Sequence, residues 1–482
     1  MIRDDARRRK TAVYLVGGFL RDYVLGRRGL DFDFAVERGG IPFARSFARR
    51  IKGAFVLLDK ERGCARVVKK TKDKIMTFDF ADFRGPTIRA DLKHRDFTIN
   101  TLTCAVHDLP PNARLKDVIT DPLAGKKDIG ARTIRMVSAG AFREDPLRLL
   151  RAFSLKALLD FKIEAKTRRA IEGQGRLIRD VSAERVRDEL FKILATDRAA
   201  ENVHLMDRMG LLQKIIPQVS VMVGVAQGPY HHLDIWKHSL QSVVELEKIF
   251  QRFGRDKDVA AYLKEPLGGE RTRRALLKLG CLLHDIGKPQ SLKKDRQKIY
   301  FYGHERVGRY FAKTIALDLK LSKLERRVLQ DMVLWHLRPG YLSNFKTPSR
   351  RALFRYFRDT GEEAAGIALL SLADQKATRG PLTSAADQRH HEKICRMLMA
   401  RFFEMKKEKP FVRLITGHDL IKKFRLKPSP VFARILREVE EQQAAGKVTT
   451  KKEALSLAAK IVNKKNKKTL PTKRPCKSKT QK

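Results

Sequence analysis

Two aspartates one residue apart, Asp31 and Asp33, stand in the stretch LDFDFAV. Side chains at positions i and i+2 of a β-strand point to the same face, where two like charges repel unless a positive group lies between them. Phe32, Phe34 and Val36 alternate with the aspartates, so the other face would pack on a core. A solvated edge strand could also carry two carboxylates. The pattern otherwise suits a pair of divalent cations about 3.5–4 Å apart, which can clamp an attacking oxygen and a triphosphate.

A glycine pair, Gly17-Gly18, precedes these aspartates at the end of the apolar run VYLV. Glycines at the end of a strand let the backbone approach a ligand closely, and the start of the following helix offers free N–H groups to phosphate. Taken alone, the pair is better explained as a simple turn, and it is the Asp31-x-Asp33 pattern a dozen residues later that favours a ligand site. Arg21 lies on the helix that follows and is a candidate for contact with a triphosphate, with a salt bridge to a neighbouring helix as the alternative.

Further charged pairs follow downstream. Arg95-Asp96 precedes an apolar segment in DLKHRDFTIN, and FREDPLRLLRAF spaces Asp145, Arg148 and Arg151 three residues apart. On a continuous helix these three side chains would share one flank. They could form a salt-bridged helix. An Asp and an Arg held side by side could instead form a donor and acceptor edge that pairs with a nucleobase.

A second group of residues with metal-binding chemistry lies later in the chain. Six of the twelve histidines fall between residues 231 and 336, and an aspartate adjoins one of them in LLHDIGKP. Single histidines on apolar helix faces are usually core residues, but neutral imidazoles together with carboxylates suit a divalent cation. Because the candidates are far apart in sequence, they can meet only inside a helical bundle. The candidates are His231, His232, His238, His284, Asp285, His304, His336 and Asp374.

The elements that position these residues change along the chain. Residues 11–85 alternate short apolar runs with glycines and charges, which predicts strands at TAVYLVGG, LDFDFAV, GAFVLLD, CARVVKK and KIMTFDFADF and a helix at FLRDYVLG. From about residue 130 the apolar residues recur at helical spacing. We therefore expect an α/β region followed by helical domains.

Composition narrows the class of partner. The chain of 482 residues carries 103 Lys and Arg against 55 Asp and Glu, a net charge of +48. Such a charge points to a polyanion, with nucleic acid favoured over an anionic membrane surface. No apolar run approaches the ~20 residues of a membrane span, and the N-terminus lacks the apolar core of a signal peptide. Five scattered cysteines suit a reducing compartment. We expect a cytoplasmic protein with no membrane partner, whose oligomeric state the sequence does not indicate.

The motif order GG-x-x-RD, D-x-D, RDFTIN, DP-x-x-G and EDPLR-x-LR resembles the class II tRNA nucleotidyltransferases and the related bacterial poly(A) polymerases. The resemblance covers residue 13 to about residue 190. It implies a palm like that of polymerase β, in which Asp31 and Asp33 bind Mg²⁺. His94 stands where this family commonly has Arg, and Thr101 where it commonly has Ala.

The same resemblance implies the nucleotide site. Arg95 and Asp96 would contact the sugar and phosphates, and Asp145 and Arg148 would read the Watson–Crick edges of CTP and ATP. For the third palm carboxylate TFDFADF offers Asp79 and Asp82, of which we favour Asp79 as catalytic. The predicted nucleotide-binding set is completed by Gly17, Gly18, Arg21 and Arg151.

Residues 228–380 resemble the HD phosphohydrolase domain. The match assigns four metal ligands and two further ligands that members with two metals use. Within tRNA nucleotidyltransferases such domains can carry phosphatase and 2′,3′-cyclic phosphodiesterase activities with Mg²⁺, Mn²⁺, Ni²⁺ or Co²⁺; a scaffold with vestigial ligands is the alternative. The four ligands are His238, His284, Asp285 and Asp374, and the further two are His304 and His336.

The expected organisation follows from both resemblances. It comprises a nucleotidyltransferase palm at 11–128, a helical neck that recognises the nucleotide at 129–227, the HD domain at 228–380, a helical region that contacts tRNA at 381–459 and a basic disordered tail at 460–482.

The predicted function is addition or repair of the 3′-terminal CCA of tRNA from CTP and ATP by two-metal nucleotidyl transfer. Alternatives within the superfamily are a poly(A) polymerase and an enzyme that adds only CC or only A. An alternative of another class is a metal phosphohydrolase whose N-terminal half only binds RNA. A non-catalytic RNA-binding protein would explain the charge but neither metal constellation.

Overall fold

The computed structural model describes residues 1–468 except 73, 111, 296–297, 409–410 and 426–428, and excludes the side chains of 464–468. The predicted disordered tail at 460–482 therefore lies mostly outside the described residues, although the last described helix overlaps its start. The chain divides into two compact units. The N-terminal unit comprises 1–221, 263–279 and 314–326, and the C-terminal unit comprises 222–262, 280–313 and the residues from 327 onward.

A mixed sheet forms the centre of the N-terminal unit. Strands β2 and β5 run parallel, and the other neighbouring strands are antiparallel. The strand order across the sheet is β3-β4-β5-β2-β1-β6. The bounds are β1 Val13–Val16, β2 Asp31–Val36, β3 Ala54–Asp59, β4 Cys64–Lys70, β5 Ile75–Asp82 and β6 Thr103–Ala105.

The alternation of apolar residues explains the packing of this sheet. Phe34 of β2 stacks on Phe80 of β5 with ring centroids 5.0 Å apart. The helix Gly40–Ile51, α3, covers these two rings, and its Phe47 ring lies 5.6 Å from that of Phe80. The apolar face of β2 is therefore buried, which leaves Asp31 and Asp33 on the opposite face, as the alternation predicted.

Helices follow the sheet, as predicted. Their bounds in the first half of the chain are α1 Ile2–Arg9, α2 Gly18–Val24, α3 Gly40–Ile51, α4 Ile88–Lys93, α5 Leu115–Val118, α6 Gly125–Gly130, α7 Ala141–Glu144, α8 Arg148–Leu159, α9 Ala165–Gln174, α10 Ala183–Ala195, α11 Ala199–Arg208 and α12 Leu212–Ile215, with a strand pair β7 Thr133–Ile134 and β8 Lys162–Ile163.

One helix prediction is wrong. Asp145, Arg148 and Arg151 do not share a continuous helix, because α7 ends at Glu144 and α8 begins at Arg148. Asp145 adopts an extended conformation (φ −149°, ψ 98°). The physical reason is Pro146, since a proline disfavours the helical conformation of the residue before it.

The described residues of the second half of the chain are mainly helical, with two short strand pairs. Its bounds are α13 Ile235–Phe253, α14 Lys257–Lys264, β9 Pro266–Gly268, β10 Arg271–Thr272, α15 Arg273–Leu283, α16 Lys288–Ser291, β11 Lys293–Asp295, β12 Lys298–Tyr300, α17 His304–Asp318, α18 Lys323–Trp335, α19 Arg338–Ser343, α20 Arg350–Thr360, α21 Ala364–Ala377, α22 Ala385–Lys407, α23 Gly417–Phe424, α24 Pro430–Ala444 and α25 Lys451–Lys468. None of the helices within the described residues is long and apolar enough to cross a membrane.

Helix α21 is the central helix of the C-terminal unit. Its sequence AAGIALLSLADQKA is apolar on all sides, and its residues from Ala364 to Ala373 are buried. A helix that is hydrophobic all round requires neighbours on every side. Asp374 follows directly on this buried run, so its carboxylate is presented inside the bundle.

A charge cluster joins α20 to α24. Glu441 accepts hydrogen bonds from Arg351 at 2.9 Å and Arg358 at 2.7 Å, and Arg355 bonds to it as well. Burial alone would raise the pKa of Glu441, but the three guanidinium groups lower it to about 2. The glutamate is therefore charged at neutral pH and is balanced by arginines alone.

Candidate functional site

Strand register brings three carboxylates together on one face of the two central strands of the sheet. In the parallel pair β2–β5, Asp33 lies opposite Asp79 and Asp31 lies opposite Thr77, whose hydroxyl donates to the Asp31 carboxylate. Residues in register on neighbouring strands point to the same face. Asp31, Asp33 and Asp79 therefore form one acidic face, as expected for the two predicted metal ligands.

The third carboxylate is distinguished by its surroundings. Asp79 receives two hydrogen bonds of 2.7 Å from the Arg66 guanidinium group on β4. Asp82, the alternative candidate, accepts a hydrogen bond of 2.7 Å from the backbone N–H of Gly40 and stands opposite Val36. Asp79 is thus the candidate that lies beside Asp33.

Burial and the charged groups crowded around Asp33 shift the pKa of its carboxyl group. Burial raises the pKa of the Asp33 carboxyl, and the negative charges of Asp79 and Asp31 raise it further, while Arg95 and Arg151 lower it. Carboxylates gathered in this way fit a hard divalent cation. Their oxygens can serve as its ligands, and its positive charge removes the repulsion between them.

Gly17 lies against these carboxylates with a positive φ of 81°. A Cβ atom at this position would stand 2.9 Å from Oδ2 of Asp33. Any larger residue would therefore strain the backbone and displace the carboxylate. Gly17 is thus required where the chain turns closely against Asp33, and the phosphate contact expected of the glycine pair stays a prediction.

A buried network supports the site from beneath. Asp96 accepts from Nδ2 of Asn100 at 3.0 Å and from the Phe97 N–H at 2.7 Å, and it pairs with Nε of Arg151 at 2.8 Å. Burial works to raise the pKa of Asp96, but Arg151 and these donors outweigh it and lower the pKa overall. Arg21 donates to Oδ1 of Asn100 at 2.7 Å and to Asp22 at 2.9 Å.

The described structure gives Arg21 no salt bridge to a neighbouring helix, and its contact with a triphosphate stays a prediction. Its partner Asp22 belongs to its own helix rather than to a neighbouring one. The guanidinium group is also absent from the lining of the cavity described below. Its described contacts stabilise the Asn100 and Asp96 network.

The side chains of the predicted pair Asp145 and Arg148 do not pair with each other in the described contacts, although the Arg148 N–H donates to the Asp145 carbonyl at 3.1 Å. Nη2 of Arg185 on α10 lies 2.9 Å and 3.1 Å from the two carboxylate oxygens of Asp145. Arg148 is 6% exposed and donates to the backbone carbonyls of His94, Arg95 and Ala141. Burial lowers the pKa of Arg148, which Asp96 and Asp145 partly restore.

These groups converge on a cavity of about 300 Å³. Asp31 lies at the exposed end of β2 outside its lining. The cavity is lined by arginine side chains, by carboxylate oxygens and by the backbone of the glycine pair. Such a lining suits a metal-bound nucleoside triphosphate. Among the predicted residues, the lining includes Gly17, Gly18, Asp33, Asp79, Arg95, Asp96, Asp145, Arg148 and Arg151.

A separate centre lies in the C-terminal unit and has two halves. His238, His284 and Asp374 form the first, with Nε2 of His238 2.9 Å and Nε2 of His284 3.6 Å from Oδ1 of Asp374. Asp285, His304 and His336 form the second half.

Asp285 belongs to both halves by distance. Its Oδ2 lies 3.3 Å from Nε2 of His284, and its Oδ1 lies 3.4 Å from Nε2 of His304 and 3.7 Å from Nε2 of His336. The four-plus-two division of the ligands that the resemblance implied is thus seen as two groups of three that share a carboxylate between them.

Three of the histidines are fixed in one tautomer. Nδ1 of His284, His304 and His336 lies 2.6, 2.8 and 2.8 Å from the carbonyl oxygen three residues earlier in the chain. Because a carbonyl only accepts, each Nδ1 carries a proton, and each Nε2 is the nitrogen that a neutral imidazole would present to a metal at the centre. Nε2 of His284 is buried without a hydrogen-bond partner in the described structure. The donor set therefore fits a divalent cation.

Three contacting residues were not found by sequence reasoning. Arg66 and Arg185 come from a strand and a helix whose registers a single sequence does not reveal. Lys288, with Nζ 2.6 Å from Asp285 and 2.7 Å from Oε1 of Gln227, stands three residues after Asp285, and that helical spacing was an available signal.

Comparisons with known proteins agree over most of residues 13–459. Family models match in chain order, namely the Poly A polymerase head domain at 13–135, the RNA and SrmB-binding site of polymerase A at 160–222, the HD domain at 235–375 and tRNA nucleotidyltransferase domain 2 at 405–459.

Curated relatives match over nearly their full length. An A-adding tRNA nucleotidyltransferase of Deinococcus radiodurans is 31% identical over 91% of this chain and 93% of its own. A CC-adding tRNA nucleotidyltransferase of Geobacter sulfurreducens is 33% identical over 93% and 91%. The structure of a Thermotoga maritima CCA-adding enzyme complexed with tRNA has a similar fold, with a TM-score of 0.59, 19% identity and coverage of 96% of this chain and 93% of that chain.

Proposed function

The chain belongs to the tRNA nucleotidyltransferase family, and from that premise we propose that it builds or repairs the 3′-terminal CCA of tRNA from CTP and ATP. The observation that carries the proposal is the cavity in which Asp33 and Asp79 face Arg95, Arg148 and Arg151. A metal-bound triphosphate is the ligand whose charge matches both sets. The many lysines and arginines suit tRNA as the second substrate.

Asp31, Asp33 and Asp79 would hold Mg²⁺, which supplies activation of the attacking 3′-hydroxyl and neutralisation of the leaving pyrophosphate. Arg66 orients the Asp79 carboxylate through its two hydrogen bonds. Arg151, locked on Asp96, places its charge at the cavity wall.

Base selection would fall to Asp145 and Arg148. Arg185 orients the Asp145 carboxylate, and three backbone carbonyls hold the Arg148 guanidinium group. We propose that an incoming base takes over part of these bonds. CTP and ATP each present an exocyclic amino donor beside a ring acceptor, and an Asp and an Arg match that pattern.

Addition of only CC or only A is the second candidate. It is favoured by the names of the two curated relatives given above, one CC-adding and one A-adding. The test uses tRNA transcripts that end at the discriminator base, at C or at CC, with CTP and ATP supplied separately and together. Product sequences that end in CCA from every transcript support full addition, and arrest after CC, or extension of only the CC transcript, identifies a partial enzyme.

For the histidine centre we propose a metal-dependent phosphohydrolase activity with Mg²⁺, Mn²⁺, Ni²⁺ or Co²⁺. Support comes from the three Nε2-presenting imidazoles and from Asp285, which reaches both halves. Hydrolysis of p-nitrophenyl phosphate and of 2′,3′-cyclic nucleotides tests it, and inactivity with all four ions favours a vestigial site. A tRNA substrate and the use of unpaired cysteines are consistent with a cytoplasmic location.

A further inference from the structure

A second cavity, of about 630 Å³, lies in the C-terminal unit where α17, the end of α18 and α19 meet. We call it the arginine–aromatic pocket. Its volume is in the range of ordinary ligand sites. The side chains that define it here are Glu305, Arg306, Arg309, Trp335, Arg338 and Tyr341.

The pocket is distinct from the metal centre. His304 and His336 are neighbours in the chain of Glu305 and Trp335, but they do not line the pocket. They are 6% and 0% exposed and point towards Asp285. The pocket and the metal centre therefore use different side chains of the same helices.

The charge of the pocket is positive. Three arginines stand against one glutamate, and the Arg306 side chain is 83% exposed. Arg306 and Arg309 are three residues apart on α17, so they project from neighbouring positions of one helix surface. These two guanidinium groups can therefore contact successive anionic groups of an extended ligand.

The aromatic side chains add a second kind of contact. Tyr341 is 55% exposed, and Phe345, one turn further along the chain, is 62% exposed. Arg338 lies over the Trp335 ring at 4.7 Å from its centroid and is held by Asp359 at 2.6 Å. The indole and guanidinium planes are thus set in place before any ligand arrives.

Exposed aromatic rings beside arginines are the chemistry of single-stranded nucleic acid sites, where bases stack on rings and phosphates meet guanidinium groups. An acidic peptide would use the arginines but would leave the rings without stacking partners. We propose that the arginine–aromatic pocket binds an unpaired nucleotide of an RNA strand, with the base on Tyr341 and Trp335 and the phosphates on Arg306 and Arg309. The proposal does not depend on the proposed reaction at either metal site.

The chain offers a natural reporter for this site. It contains two tryptophans, of which Trp236 is 3% exposed and Trp335 lines the pocket. The experiment titrates the full-length Trp236→Phe variant and the wild type with oligo(U) of eight nucleotides, in EDTA and without nucleoside triphosphates. We expect saturable quenching of Trp335, with Kd about tenfold higher in Tyr341→Ala.

Salt dependence tests the arginines separately. Each phosphate contact of a single strand contributes roughly 0.7 to the slope of log K against log salt. The double variant Arg306→Gln/Arg309→Gln should therefore lower the slope by about 1.4. Lys393→Gln, an exposed charge on α22 outside the pocket, is the matched control and should change neither Kd nor slope.

Three results would overturn the proposal. They are the absence of Trp335 quenching, an unchanged Kd in Tyr341→Ala together with an unchanged slope in the double variant, and quenching by poly-glutamate as tight as by RNA, which would assign the pocket to an acidic protein segment. A wild-type chain that fails to extend tRNA but shows the expected quenching would refute only the proposed function.

Discussion

The carboxylate cavity and the histidine centre differ in how their charges are balanced. In the cavity the acidic groups already have protein cations nearby, since Arg66 binds Asp79 and Arg151 binds Asp96. In the histidine centre most of the ligands are buried, Lys288 is the protein cation beside Asp285, and Nε2 of His284 has no hydrogen-bond partner in the described structure. The first site is therefore suited to a substrate that brings its own charge, whereas the donor set of the second is suited to an ion held between imidazoles and carboxylates.

The largest expected effect is on the carboxylate cavity. Asp33→Ala removes the half-buried carboxylate that lies opposite Asp79, so nucleotide addition should fall by more than about 100-fold, or ~2.7 kcal/mol of barrier. Affinity for tRNA should stay within a few-fold, because phosphate contacts elsewhere persist. Single-turnover incorporation of CTP and filter binding of tRNA measure the two effects.

Asp108→Ala, an exposed aspartate of the same unit, is the control and should retain full activity. Retention of more than about a tenth of the wild-type rate in Asp33→Ala would contradict the assignment of this face as the metal site.

A substitution in the histidine centre should reduce metal content and leave tRNA extension nearly unchanged. His284→Ala should lose at least one tightly held ion per chain after dialysis from Mn²⁺, as measured by mass spectrometry of the metal, while tRNA extension stays within about twofold. The exposed His232 provides the matched variant. Equal metal content in His284→Ala and His232→Ala would show that the cluster is a core and not a metal site.

A smaller effect is expected at the orienting arginine of the cavity. Arg185→Ala frees the Asp145 carboxylate, and loss of a hydrogen bond to a charged group should weaken discrimination of CTP and ATP against UTP and GTP by about three- to tenfold. Pre-steady-state incorporation of each nucleotide tests it, with the exposed Arg176→Ala as control. Discrimination that equals that of the control would make the Arg185–Asp145 contact purely structural.

The smallest effect belongs to Glu441, whose charge is balanced by arginines and not by an ion. Its folded-state pKa of about 2 lies below the usual 4.5, so its stabilising contribution is full above about pH 4.5 and is lost as the pH falls towards 2. Glu441→Gln should lower the melting temperature at pH 7 by about 2–4 °C, as ~1 kcal/mol would, and by less at pH 3.

Calorimetry in EDTA and in Mn²⁺ completes this test. The decrease in melting temperature caused by Glu441→Gln should be the same in EDTA and in Mn²⁺. By contrast, the increase in melting temperature caused by Mn²⁺ should disappear in His284→Ala. A pH-independent difference for Glu441→Gln would contradict the lowered pKa.

Much of this arrangement could be predicted from the sequence where it depends on local periodicity. The alternation around Asp31 and Asp33 correctly placed both on the face opposite the buried phenylalanines. The His-Asp dipeptide and its distant partners were correctly expected to meet inside a bundle. What periodicity could not give was register, and so the contacts of Arg66 with Asp79 and of Arg185 with Asp145 were missed.

The helix error at Asp145 has a different origin. The apolar spacing from Phe142 to Phe153 fits a helix, but Pro146 interrupts it, and the interruption turns Asp145 towards Arg185. A local backbone rule outweighed the side-chain pattern there.

The partners that fix the three histidine tautomers are main-chain carbonyls of Cys281, Phe301 and Val333. Every amino acid supplies such an oxygen, so no exchange of side chain at these positions deletes the acceptor itself. Substitutions that disrupt the histidine centre are therefore expected mainly at the metal ligands themselves. The carboxylate cavity, which depends on the side chains of Arg66, Asn100 and Arg185 for its orientation, offers many more ways to be lost by a single substitution.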